Sequence, residues 1–236
     1  VGDNLDNQVC FLAVYNGNLY AGTAWNGMRL YKYTPGSTNC GINDWTRVVD
    51  YPSWDGTRSL YVSHGLLLMG DIGWDRFAHI NTEEEFTVDL DQYYGSCIYD
   101  YEDYRGNVYA SAYAGRLWKS PDATTWSEVL GYHDGNMWEL EAFRDSLYMA
   151  YASGELRASN IPDRGTLIYT APDGIISMET DGINLYFGTG GEAGAFYGSE
   201  TDGTANVYRY DGTDDPILIS NEDEFGGGVQ VLYAFE

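Results

Sequence analysis

The sequence predicts an all-β chain built of repeated four-stranded units, and three observations carry that expectation. One phrase recurs five times: an apolar run, a turn of the Asn/Asp-Gly kind, and a Leu-Tyr pair followed by small residues. The composition suits short strands joined by tight turns, with 29 Gly and 22 Tyr among 236 residues. No segment sustains a 3.6-residue apolar period, so few helices are expected. Small twisted sheets of this kind have two apolar faces that only neighbouring sheets can cover. That requirement leads to a β-propeller of about five blades. An open β-solenoid is the alternative, although its rungs are usually shorter and more regular.

The first copy is FLAVYNGNLYAGT, residues 11–23, in which 11–15 alternate as a strand, Asn16-Gly17 makes a hairpin turn and Leu19-Tyr20 opens the next strand. The second, SLYVSHGLLLMGD, replaces the turn with His64-Gly65 and the pair with Leu67-Leu68. The third, CIYDYEDYRGNVYASAY, carries Arg105-Gly106 and Val108-Tyr109, and the fourth, LEAFRDSLYMAYA, carries Arg144-Asp145 and Leu147-Tyr148. The fifth, ISMETDGINLYFGTG, has Asp181-Gly182 and Leu185-Tyr186. Anchors at positions 19, 67, 108, 147 and 185 are spaced by 48, 41, 39 and 38 residues, the length of a four-stranded blade.

A third strand is expected in each unit at residues 29–33, 77–80, 116–119, 155–157 and 207–210. A shorter fourth is expected at 45–49, 86–90, 126–130, 166–169 and 217–219. The blades then run 9–50, 51–92, 93–133, 134–172 and 173–228 within one domain. A spare strand remains, because VQVLYAFE at 229–236 aligns without gaps to VCFLAVYN at 9–16, an offset of 220. Its apolar positions are Val229, Val231, Leu232, Tyr233 and Phe235. It begins a sixth blade, lies outside the ring, or inserts into another molecule by strand donation.

Twelve basic against 36 acidic residues give a formal charge of −24, which repels phosphate backbones and anionic membrane surfaces. Nucleic acid is therefore excluded as a partner class. No stretch approaches the ~18 apolar residues that span a bilayer, and residue 1 is Val. A removed leader would fit both facts, as would an arbitrary boundary, and the expected location is extracellular or at the cell surface. The three cysteines, Cys10, Cys40 and Cys97, fit no zinc spacing, and an odd number leaves at least one unpaired in a monomer.

Residues 120–126, Ser-Pro-Asp-Ala-Thr-Thr-Trp, follow the predicted strand 116–119. They resemble the Asp-box turn of sialidase-like bacterial propellers, of the form S-x-D-x-G-x-T-W, but are one residue shorter and lack its Gly. The resemblance implies a structural turn in which Ser120 and Asp122 hold the loop and Trp126 packs between sheets, a role in keeping with Asx-turn chemistry. A weaker echo stands at Asn43-Asp44-Trp45-Thr46. The sialidase arginine triad cannot be matched residue by residue.

Candidate chemistry is sparse. Inner-strand acids include Asp100, Glu139, Glu141 and Glu179, and Glu139 with Glu179 on adjacent blades would form an acid and base pair if both faced the axis. Otherwise they line a hydrated channel. His64, His79 and His133 show no ligand-like spacing. The acidic turns at 211–215 and 221–224 offer oxygen ligands for calcium without EF-hand spacing. Phe196 and Tyr197, in the insertion 190–203, would stack on sugar rings, seal a subunit contact or pack on a blade edge. The expected function is a non-catalytic surface module that binds glycans or copies of itself, with no cofactor. A glycoside hydrolase or lyase using axial carboxylates is the alternative.

Overall fold

The computed structural model describes residues 8–34, 44–92, 97–133, 135–162, 164–190 and 205–220, together with Val229 and Leu232. Twenty strands lie within those residues. Sheet one holds β1 (Gln8–Tyr15), β2 (Asn18–Ala24), β3 (Met28–Tyr33) and β4 (Trp45–Tyr51). Sheet two holds β5 (Thr57–Ser63), β6 (Leu66–Asp71), β7 (Asp75–Ile80) and β8 (Phe86–Gln92). Sheet three holds β9 (Ile98–Tyr104), β10 (Asn107–Ala112), β11 (Leu117–Ser120) and β12 (Ser127–Leu130). Sheet four holds β13 (Met137–Phe143), β14 (Ser146–Tyr151), β15 (Glu155–Ser159) and β16 (Thr166–Thr170). Sheet five holds β17 (Ile175–Thr180), β18 (Leu185–Thr189), β19 (Val207–Tyr210) and β20 (Ile217–Ser220).

Every sheet is a meander, its strands hydrogen-bonded in chain order. The first hairpins explain why. Asn16 and Gly17, at φ 47° and 73°, both occupy the left-handed region that a two-residue turn needs to match strand twist, and His64-Gly65 and Arg105-Gly106 do the same. Sheet five turns differently: the Asp181 carboxylate accepts the N–H groups of Ile183 at 2.8 Å and Asn184 at 2.6 Å. The inner strands share a further irregularity, a shift of register one residue after Val9, Thr57, Met137 and Ile175. A bulge repeated at one position twists these four sheets alike.

The chain divides into two compact units, Val1–Ala110 with Lys119–Ser127, and Ser111–Trp118 with Glu128–Glu236. In the first, a cluster that includes Tyr15, Met28, Leu30, Trp54, Met69 and Ile80 fills the space between sheets one and two. Trp126 lies flat on Phe77, ring centroids 4.2 Å apart. In the second, Phe143, Leu156, Ile175, Phe187 and Tyr208 belong to one core between sheets four and five.

Close backbone approach sets the spacing inside unit one. A Cβ on Gly22 of β2 would lie 2.7 Å from Thr57 Cγ2, and one on Gly70 of β6 would lie 2.5 Å from Ile98 Cβ. Thr57 and Ile98 open the next inner strands, so each glycine is the seat for the following sheet. Ser59 completes the second seat by donating its hydroxyl to the Ile98 carbonyl at 2.9 Å. Replacing Gly70 by Ala is expected to cost about 2–3 kcal/mol in urea denaturation. Gly106→Ala, at a turn with open space around it, is expected to cost only about 1–2 kcal/mol, from its positive φ. Equal costs would contradict the seat.

Candidate functional site

In a four-stranded meander the connections between second and third strands, and from a fourth strand to the next sheet, emerge from the same end. In unit two these connections enclose a cleft of about 340 Å³. Tyr113 and Ala114 come from the connection after β10, Ala152 and Ser153 from that after β14, and the linker before β13 supplies Tyr132, His133, Gly135 and Asn136.

Local backbone chemistry shapes this cleft. Ala114 and Gly115 are both left-handed, at φ 57° and 66°, which folds the first connection back on itself. The linker crosses it so closely that a Cβ on Gly115 would lie 2.7 Å from His133 Cβ. The His133 N–H donates to the Ala114 carbonyl at 2.8 Å. Buried Asn136 ties the floor together: its side-chain oxygen accepts the Ala114 N–H at 3.1 Å, and its backbone carbonyl accepts the Ala152 N–H at 2.8 Å. The His133 ring packs on Tyr151, centroids 5.0 Å apart, and Arg164 donates to the Tyr132 carbonyl at 3.3 Å.

Tyr113 is 47% exposed and Tyr132 is 67% exposed, so two aromatic faces stand at the opening of a polar floor. None of the cleft-lining residues named above is Asp, Glu, Lys or Arg. Such a site offers stacking and hydrogen bonds to a neutral ligand.

Of the residues singled out from the sequence, His133 lines this cleft; Asp122, Glu139, Glu179 and Val229 do not. Asp122 accepts the N–H groups of Thr124 at 2.9 Å and Thr125 at 2.6 Å, and the hydroxyls of Thr125 and Ser120 at 2.9 and 3.0 Å. Those bonds hold its carboxyl well below the usual carboxylate range, the Thr125 amide contributing most. Glu139 and Glu179 are half-buried on β13 and β17 but out of step. Glu139 pairs with Ala150 and stands two residues after Met137, whereas its counterpart beyond Ile175 is Ser177, which pairs with Gly188. Glu179 lies two residues further on, a displacement of about 7 Å along the strand, and burial raises its pKa. In Val229 the N–H donates to the Thr189 carbonyl at 3.1 Å and the carbonyl accepts the Ser177 hydroxyl at 2.7 Å. Leu232 is half-buried. Phe196, Tyr197, Val231, Tyr233, Phe235, Cys40 and the turn 221–224 lie outside the described residues.

Cys10 and Cys97 are free thiols, and burial pushes Cys97 up to about 12. Among the described residues no group of three His, Cys, Asp or Glu side chains is arranged to hold a metal ion. The Asp211 carboxylate is engaged by its own turn, accepting from the Thr213 N–H at 2.9 Å and its hydroxyl at 2.8 Å. No helix among the described residues is long and apolar enough to cross a membrane.

Two buried carboxyls of unit one, those of Asp71 and Asp89, have raised pKa values. Asp71 accepts the N–H groups of Gly56 at 3.2 Å and Ile72 at 2.9 Å, and pairs with Arg76 at 3.3 Å. Burial pushes Asp71 up to about 6, with Gly56 and Arg76 opposing and Asp55 adding to the rise. Asp89, bonded to His79 at 2.9 Å, is likewise pushed to about 6 by burial. These are structural ties within sheet two.

The chain is similar to several solved structures. It aligns with the computationally designed protein Ika8 at 13% identity and a TM-score of 0.63, covering 98% of this chain and 67% of that one. With the WD40 β-propeller domain of Doa1 the identity is 14% and the TM-score 0.60, over 94% of this chain and 70% of that one. With the extracellular domain of BT4673 from B. thetaiotaomicron the identity is 16% and the TM-score 0.65, covering 100% of this chain but only 31% of the other. These likenesses show the fold, a β-propeller, whose blades here are the five four-stranded sheets. No protein-family model and no curated protein matches the sequence, so the Asp-box resemblance rests on residues 120–126 alone.

A pH dependence follows from the two buried carboxyls, whose folded pKa values lie above the roughly 4 of an unfolded Asp. Their stabilisation is complete below about pH 4 and is lost as the pH rises through about 6, on the order of 1–3 kcal/mol for each. Asp181, held down to about 2 by its turn amides, acts oppositely; its contribution is present above about pH 4 and lost as the pH falls toward 2. The urea midpoint is expected to fall between pH 5 and pH 7, and to fall less in Asp71→Asn, which keeps the oxygen acceptor but does not titrate. Identical slopes in the two proteins would remove Asp71 as a cause.

Proposed function

We propose that this chain is a non-catalytic binding module of an extracellular or cell-surface protein, and that its ligand is a neutral carbohydrate held in the cleft beside Tyr113 and Tyr132. One observation carries the reading: two exposed tyrosines flank a hydrogen-bonding floor whose described lining residues include no Asp, Glu, Lys or Arg, in a protein of formal charge −24. Sugar rings present C–H faces that lie on tyrosine and hydroxyls that pair with groups such as Asn136, Ser153 and the backbone. Anionic ligands would meet the repulsive field of the whole protein. The volume falls within the range of small-ligand sites. One similar solved structure is itself an extracellular domain, which agrees with an exterior location.

A second reading, self-assembly, is favoured by a separate observation. β20 is the outer strand of sheet five, and its consecutive Ile217, Leu218 and Ile219 are 55%, 46% and 47% exposed. An apolar outer edge of this kind invites pairing between copies. Ile217→Lys is expected to lower any concentration-dependent mass in sedimentation, and unchanged mass would count against this surface.

Neutral glycans on an array are expected to be retained with a Kd of roughly 0.1–1 mM. Titration should show Tyr132→Ala weakening them about tenfold, which is about 1.4 kcal/mol. Tyr113→Ala should act in the same direction. Undiminished binding by the double variant, or no neutral glycan bound at all, would overturn the proposal.

A further inference from the structure

We infer that the polypeptide enters a sixth blade at Val229, in the same molecule, and that sheet five carries the seat for that blade's inner strand. The inference is independent of the cleft and its ligand. It starts from the device that spaces sheets in unit one, a glycine on the second strand, the first residue of the next inner strand upon it, and a serine hydroxyl on that residue's carbonyl.

Sheet five repeats all three parts. A Cβ on Gly188 would lie 2.6 Å from Val229 Cβ and 2.7 Å from Ser177 Oγ, as one on Gly70 would lie 2.5 Å from both Ile98 Cβ and Ser59 Oγ. Ser177 donates to the Val229 carbonyl at 2.7 Å, as Ser59 donates to the Ile98 carbonyl at 2.9 Å. Ser59 and Ser177 are each the third residue of an inner strand, and they pair with Gly70 and Gly188. Val229 therefore stands to sheet five as Ile98 stands to sheet two.

The sequence reaches the same register by another route. Gapless alignment puts Val229 opposite Val9, and Val9 pairs with Thr23 just as Thr57 pairs with Asp71. Val229 thus matches the opening position of an inner strand both in the repeat and in its contacts. The occupant of the seat is the chain's own segment, and a further sheet of the same four-strand phrase is the partner that fits beyond it.

Hydrogen exchange read by mass spectrometry tests this on the chain as it is. The Val229 amide, bonded to the Thr189 carbonyl, is expected to exchange at least about tenfold more slowly than in an unstructured peptide of the same sequence, at every protein concentration. Gly188→Ala should release that protection by filling the seat. Because Gly188→Ala could also disturb sheet five itself, Val229→Asp provides a second route, with β17 and β18 peptides remaining protected. Three results would overturn the inference: unprotected exchange in the parent chain, protection that appears only as concentration rises and so comes from a second copy, or protection that survives both substitutions.

Discussion

Where Gly22 meets Thr57, and again where Gly70 meets Ile98, the second strand of one sheet and the first residue of the next inner strand approach too closely to admit a Cβ. Much else in unit one depends on that approach. It brings the two sheet faces near enough for Tyr15, Trp54, Met69 and their neighbours to exclude water. It also puts Ser59 within reach of the Ile98 carbonyl, so a backbone group at the sheet boundary is satisfied. A larger residue at the seat would separate whole faces, which makes the constraint collective where a core truncation is local.

Electrostatics follow the same geometry at the third and fourth strands. Arg29 pairs across the ladder with Asp50, and Arg76 with Asp91, each Arg directly opposite its acid. Arg76 also reaches buried Asp71, whose carboxylate binds the amide of Gly56, in the connection between sheets one and two, and that of Ile72, in the connection between β6 and β7. In a chain with three acidic residues for every basic one, the few arginines are thus partly committed to holding sheets together. None of the described residues that line the cleft is an arginine, and Arg164 reaches it only at the Tyr132 carbonyl.

The architecture was legible because its causes are local. Two-residue turns such as Asn16-Gly17 need positive φ, and alternation after each turn declares which residues face inward. Even the offset of Glu139 from Glu179 was written in the chain, since they stand eight and six residues before Leu147 and Leu185. The turn at 120–126 was readable for the same reason, Asp122 serving amides two and three residues away. The cleft was not readable. Tyr113, Tyr132 and Asn136 belong to separate connections, and they converge only because a meander returns those connections to one end of its sheets. No short-range spacing signals that convergence, although counting strand phase around each blade would have identified the end on which to look.

Asn136 has a mechanical consequence. Its side chain holds a connection of sheet three while its carbonyl holds one of sheet four, so the cleft floor is also a seam. A ligand lying across both connections would add its contacts in parallel with that seam. Separating the two connections would then require breaking ligand and seam bonds together, and occupancy would be felt as stiffness of this end of unit two.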